Sequence, residues 1–211
     1  MRKILLGLAV VALAVPVFAD HFNKVVKVGD KAPDFSGIPA VSPSGEQSSL
    51  TLSDLKEDVV VLVFLANHCP VVQACDDRII DFANDYKDKS VKLVAVSVND
   101  IDRDRLPGIK EHMKDKKLNY TYGYDESQAI GRAYGATNTP HFFVLDKERK
   151  IRYIGSMDDN ASNEAKVTKH YLRDAVDALL AGKTPPIEET RAVGCSVKYK
   201  SSKMRSSSPS R

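Results

Sequence analysis

Cysteine is scarce in this chain: three residues in 211, at positions 69, 75 and 195. Three are too few for a disulfide scaffold, and an odd number in an exported protein leaves at least one thiol to explain. No internal repeat is visible, and there is no His-rich or Met-rich tract. After residue 19 no apolar stretch approaches the roughly 20 residues that a membrane-spanning helix needs. Acidic residues are missing from both ends. Residues 1–19 hold Arg2 and Lys3 with no acid, and residues 191–211 hold six basic residues with none. Residues 20–190 therefore carry 23 basic against 28 acidic residues, a net of −5, although the whole chain is +3. A nucleic-acid footprint spread over the folded part is not expected from that balance. Composition is otherwise ordinary, 43% hydrophobic and 28% charged. These values exclude a disordered or collagen-like chain, and the length suits one domain or at most two small ones.

The N-terminus reads as an export signal. Arg2 and Lys3 precede an apolar run from Ile4 to Val15, and Val17 and Ala19 occupy the −3 and −1 positions of a small-residue cleavage site. No cysteine follows the cut at Asp20, so a lipid anchor is not indicated. The mature chain is expected to begin near Asp20, to lack stable membrane insertion after cleavage, and to work in an oxidising periplasmic or secreted setting.

Beyond the signal, Val28–Phe35 reads as an irregular opening segment, and Ser42–Ser49 is turn-rich with a short strand at Ser49–Leu52. Val59–Leu65 is a continuous apolar, β-branched run, the mark of a strand buried on both faces. Val71, Val72, Cys75, Ile79 and Phe82 then recur at helical spacing through Tyr86. A second buried strand is expected at Val91–Val98, a helix at Pro107–Lys116, and an extended piece at Leu118–Tyr124. Ser127–Tyr134 reads as a short helix ended by Gly135, which suits a left-handed cap. Phe142–Leu145 and Ile151–Ile154 form a hairpin across Asp146–Lys150, and Glu164–Leu180 reads as the last helix. Ser206-Ser207-Ser208-Pro209 has the composition of disorder. Alternating strands and helices followed by a hairpin predict an α/β fold with a central mixed sheet flanked by helices.

The loop after the first core strand, Ala66-Asn67-His68-Cys69-Pro70, lies at the sheet's carboxyl edge, where such folds place their chemistry. Pro70 suits the first helical position. Unpaired N–H groups and the helix dipole there favour a thiolate, so Cys69 is the candidate nucleophile. His68 beside it is a candidate proton relay or positive charge. His112 and His170 lie in charged helical stretches and read as solvated.

Five segments together resemble the thioredoxin superfamily, in its peroxiredoxin-like branch (AhpC/TSA, or redoxin). They are Gly29–Phe35, Asn67–Pro70, Asp125–Gln128, Gly135–Pro140 and Gly194–Lys198, which span almost the whole mature chain. The resemblance implies a thioredoxin-like domain over residues 20–187, with 188–211 as a C-terminal tail carrying Cys195 and partly disordered. It implies catalysis by Cys69 and a cis-proline turn at Thr139–Pro140 beside it. In that superfamily the backbone before the proline pairs with the bound substrate chain. Thr139, Pro140, Pro70 and His68 are accordingly candidate substrate-binding residues. Asp158–Asp159 also matches the branch, with no chemical role assigned.

The departures are specific. Thioredoxins carry a second cysteine three residues after the first, and here that position is Val72. Peroxiredoxins place a threonine three residues before the reactive cysteine and a proline further upstream, where this chain has Ala66 and Leu62. The resolving thiol therefore has two candidates. Cys75 lies six residues on, about 9 Å of helical rise away, so bonding it to Cys69 would require the first turn to unwind. Cys195 matches the family's C-terminal Gly-Cys signature. A structural Cys75–Cys195 bond is the third arrangement. The expected activity is thiol–disulfide exchange on protein thiols and disulfides with an external reductant. Two alternatives use the same cysteine: a thiol peroxidase acting on small thiol or peroxide substrates, and a copper-binding module drawing on Cys69, Cys75, His68 and His141. No cofactor is called for, and the basic end reads as a solvated tail.

Overall fold

Apolar runs and the turn residues between them divide residues 21–201, the part described by the computed structural model, into nine strands and four α-helices. In chain order these are β1 (Ile38–Val41), β2 (Gln47–Leu50), β3 (Val59–Phe64), α1 (Pro70–Tyr86), β4 (Val91–Ser97), α2 (Leu106–Lys116), β5 (Thr121–Tyr124), α3 (Ala129–Tyr134), β6 (Asn138–Thr139), β7 (His141–Leu145), β8 (Ile151–Gly155), α4 (Tyr171–Leu180) and β9 (Cys195–Ser196). Seven strands form one sheet in the order β2-β1-β5-β4-β3-β7-β8. β3 runs parallel to β4, and β4 to β5, whereas β7, β8, β1 and β2 join antiparallel. The mixed sheet flanked by helices is the α/β architecture expected from the pattern.

β3 shows why its six apolar residues need no alternation. Val59, Val61 and Val63 pack with Val72, Ile79 and Phe82 of α1, Ile109 of α2 and Val176 of α4. Val60, Leu62 and Phe64 face the opposite core, against Ile130 and Tyr134 of α3, Phe143 of β7, and Val26 and Phe35 of the opening segment. Both faces are dry, so β3 is held at the middle of the molecule. Its carboxyl end then delivers residues 65–69 to one edge of the sheet.

Three elements depart from the sequence reading. The last helix begins at Tyr171 rather than Glu164. Only Glu164–Lys166 forms a single 3-10 turn before it, because Asp159 captures the backbone of Thr168 and Lys169 and the Thr168 hydroxyl at 2.9, 3.1 and 2.5 Å. Those donors favour the ionised carboxyl and hold Asp159 down at about 2. β1 was hidden by Pro39, which is unusual inside a strand. It is tolerated because β5 pairs only with Ala40 and Val41. The stretch read as a tail runs back along the domain as far as Lys200. Thr190 N donates to Ile154 O, Val197 is buried, and the Tyr199 hydroxyl donates to Ala136 O at 2.7 Å. The export signal at 1–19 and the serine-rich end at 206–209 lie outside the described residues. No helix among the described residues is long and apolar enough to cross a membrane.

Candidate active site

Cys69 occupies the N-cap of α1 in extended conformation, with Pro70 in the first turn. A residue before proline is pushed toward extended backbone, so Pro70 both starts the helix and sets the conformation of Cys69. The Cys69 carbonyl accepts from Gln73 N at 3.0 Å, and the Gln73 side chain reaches back to Asn67 O at 2.8 Å. Cys69 is fully buried and Pro70 is exposed, so the loop folds its sulfur inward under a surface proline.

That sulfur is bonded to Cys195, 126 residues away, with the two Cα atoms 5.9 Å apart. It also lies 3.3 Å from Thr139 O. Thr139–Pro140 is a cis peptide, and β6, which ends at Thr139, pairs antiparallel with β9 so that Thr139 faces Cys195. Asn138 Nδ2 donates to Gly194 O at 3.0 Å and Thr139 Oγ1 to Cys195 O at 3.5 Å. Gly194 has φ +155°. A Cβ there would come within 2.7 Å of the Thr139 carbonyl carbon, closer still to its oxygen, and within 3.3 Å of Pro140 Cδ. Only glycine lets the two backbones approach this closely.

Cys75 points elsewhere. It remains a free, buried thiol that donates to Ala161 O at 3.1 Å and accepts from Arg78 at 3.2 Å. Burial dominates the nearby guanidinium and pushes it up to about 11. Arg78 is itself buried and makes an ion pair with Asp158. It also donates to Asn160 O at 3.2 Å and Ala161 O at 2.6 Å. The Asp158–Asp159 pair thus finds structural roles: one neutralises Arg78, and the other shapes the approach to α4.

His68 is fixed by a residue the sequence did not single out. Asp104, wholly buried in a 3-10 turn before α2, accepts from His68 N at 3.1 Å and bonds His68 Nδ1 at 2.5 Å. Asn67 Nδ2 donates to Arg103 O in the same turn. Nothing in the run Asp100–Asp104 distinguished this aspartate from its solvated neighbours. His112, read as solvated, in fact lies 3.2 Å from buried Asp76. His141 is buried against Phe143 at 4.6 Å, and burial lowers it to about 4. Among the described residues no group of three or more histidine, cysteine or acidic side chains is placed to hold a metal ion. Cys69 and Cys75 serve different neighbours, so the proposed copper ligands do not converge.

The Redoxin family matches residues 27–171, more than half of the sequence. The chain belongs to the Redoxin family. The matched stretch includes Cys69 and Pro140 and stops before Cys195. The thiol-disulfide oxidoreductase ResA of Oceanobacillus iheyensis is 36% identical over 151 residues, 72% of this chain and 76% of that protein. An uncharacterised conserved protein from Geobacillus kaustophilus has a TM-score of 0.76 at 33% identity, covering 84% of this redoxin and 95% of that chain. The thioredoxin domain of a thiol-disulfide oxidoreductase from Bacteroides vulgatus has a TM-score of 0.53 at 21% identity, over 67% and 96% of the two chains, a likeness of fold alone. With the Cys69–Cys195 disulfide, these findings make the redoxin a thiol–disulfide oxidoreductase of thioredoxin-like fold.

Proposed function

We propose that Cys69 is the nucleophile and Cys195 the resolving thiol of a reversible dithiol–disulfide cycle acting on protein thiols and disulfides. The observation that carries this reading is the Cys69–Cys195 bond at the first turn of α1, beside Thr139–Pro140, with Cys75 buried elsewhere. Unpaired N–H groups and the helix dipole stabilise the Cys69 thiolate, the attacking and leaving form. In the reducing direction that thiolate attacks a substrate disulfide, and one substrate sulfur leaves as thiolate. Cys195 then attacks Cys69 Sγ and releases the second substrate sulfur, which leaves the chain oxidised. An external dithiol returns it to the reduced state by the same two exchanges.

Thr139 and Pro140 shape the groove, Pro70 fixes the turn that presents Cys69, and His68, held by Asp104, offers a proton-carrying ring at the rim. Peroxide reduction is the weaker reading, because Ala66 supplies no hydroxyl where a peroxide would be oriented. The export pattern of residues 1–19 supports an extracytoplasmic, periplasmic or secreted setting.

The test is turnover of a protein disulfide by single variants. Cys69→Ser should abolish it, and Cys195→Ser should stall at a mixed disulfide. Cys75→Ser should retain turnover. Undiminished activity in Cys69→Ser would refute the mechanism.

A further inference from the structure

Two anchors hold the C-terminal segment to the domain, with a short arch between them. Upstream, Thr190 N donates to Ile154 O at 2.9 Å, Tyr153 and Ser156 bond the Thr190 hydroxyl at 2.7 and 3.0 Å, and Ser156 Oγ donates to Arg191 O at 2.8 Å. Downstream, Val197 N donates to Thr137 O at 2.9 Å and Lys198 N to Asn99 Oδ1 at 2.7 Å. Gln128 bonds both Lys198 O and Lys200 N, at 2.9 and 2.7 Å. The Tyr199 ring lies under the Arg132 guanidinium at 4.4 Å, and Val197 is buried in the core beside α3. Residues 192–196 between these anchors touch the domain mainly through the Asn138–Thr139 edge and the disulfide. Val193 is 52% exposed.

We propose that residues 192–196 are a resident occupant of the redoxin's own substrate groove, and that an incoming cysteine-bearing strand must displace them. The proposal rests on Cys69 being the nucleophile. While β9 holds the Asn138–Thr139 edge, a second strand cannot pair there. A substrate bonded to Cys69 has to take the register that Cys195 holds now, opposite Thr139. The anchors at 188–191 and 197–200 stay in place, so the exchange is a local lifting of five residues and not release of the whole segment. In chemical terms a substrate thiolate attacks Cys69 Sγ, the Cys69–Cys195 bond breaks, and Cys195 leaves as thiolate on the lifted arch. A second substrate thiolate then attacks the bound substrate sulfur, Cys69 leaves as thiolate, and the arch settles back with both chain thiols reduced and the substrate disulfide formed. The oxidant is the chain's own Cys69–Cys195 bond.

The experiment uses full-length Cys195→Ser protein and the synthetic peptide Val-Gly-Cys-Ser-Val, its cysteine carried as a mixed disulfide with thionitrobenzoate. The Cys69 thiolate attacks the peptide sulfur, thionitrobenzoate leaves, and a stable peptide adduct accumulates. In nuclear Overhauser spectra the contacts of Thr139 with position 195 are expected to vanish and to be replaced by contacts with the peptide. Amide protection at Val197 and Lys198 is expected to persist. Retention of the Thr139–195 contacts in the adduct would overturn the proposal, as would loss of protection through Lys200. Reaction of Cys69 with cystamine but never with the peptide would overturn it too. Failure with both probes would instead refute Cys69 as nucleophile.

Discussion

Gly194→Ala is the perturbation that most directly separates the docked strand from the rest of the fold. The added methyl would lie 2.7 Å from the Thr139 carbonyl carbon, and the backbone there has φ +155°. An L-residue forced into a nearly glycine-only region costs about 1–3 kcal/mol, and the facing atoms belong to backbone that is tied to the sheet and cannot swing aside. The reduced chain escapes the penalty by letting the arch lift. The oxidised chain cannot, because Cys69–Cys195 holds position 195 opposite Thr139. The whole penalty therefore falls on the oxidised form. About 1–3 kcal/mol corresponds to roughly 5- to 150-fold in the exchange equilibrium, or about 20–65 mV for a two-electron couple. The midpoint potential should rise by that amount, making Gly194→Ala the stronger oxidant. The assay is equilibration in graded glutathione buffers, acid quench, alkylation and counting of modified thiols by mass. Val193→Ala serves as control, since that side chain is half exposed and should leave the midpoint where it was. A wild-type midpoint in Gly194→Ala would refute the argument that close approach to Thr139 governs the disulfide.

Other expectations follow from burial and pairing. Iodoacetamide on the native reduced protein near pH 7 should modify Cys69 and Cys195 but spare Cys75 until denaturant is added, since burial holds that thiol up at about 11; early labelling of Cys75 would refute its burial. Arg78→Met leaves the Asp158 carboxylate buried without its partner and should cost about 3–5 kcal/mol in urea unfolding. His141, at about 4 in the fold against its ordinary 6.5, is neutral when folded and takes up a proton more readily when unfolded. Its contribution is therefore intact above pH 6.5 and is lost as pH falls toward 4, by up to about 3 kcal/mol. His141→Phe should flatten that part of the stability–pH curve, and an unchanged slope would count against it. Because Cys69–Cys195 closes a 126-residue loop, chain entropy predicts an oxidised form more stable than the reduced one by up to about 5 kcal/mol. Parallel denaturant titrations of the two forms would measure it.

Local pattern made much of this legible in advance. The runs at 59–65 and 91–98 and the helical spacing of 71–86 are short-range signals, and the fold places strands and a helix there. Cys69-Pro70 was readable because proline marks a helix start and a cysteine before it falls at the N-cap. What sequence could not show depends on residues far apart in the chain. Asp104 braces the loop that carries His68 only because the turn before α2 lies against residue 68, and no local feature separates it from Asp100 or Asp102. The segment from residue 188 on looked like a tail because its polar sequence, set off by Pro185-Pro186, carries no periodicity. Its hold comes from single residues, the Thr190 hydroxyl, the Val197 backbone N–H and the Tyr199 hydroxyl, each meeting a partner 34 or more residues away.

The two thiols of α1 show how one helix separates chemistry from packing. Cys69 and Cys75 are six residues apart on the same element, both buried, yet their surroundings act in opposite senses. At the N-cap the unpaired peptide N–H groups of the first turn favour the Cys69 thiolate that the proposed cycle requires. Two turns in, those N–H groups are spent on the helix's own carbonyls. The nearby cation Arg78 is already engaged by Asp158, so desolvation wins at Cys75 and the thiol stays protonated. With Val72 filling the +3 position and packed in the core, no second thiolate can form next to Cys69. In the proposed cycle the resolving sulfur therefore arrives from outside the helix, over the edge that Thr139 presents. That need accounts for a C-terminal segment anchored on both sides of one glycine and one cysteine. Under the proposed displacement it would also tie the oxidation state of Cys69 to whether a five-residue arch is docked.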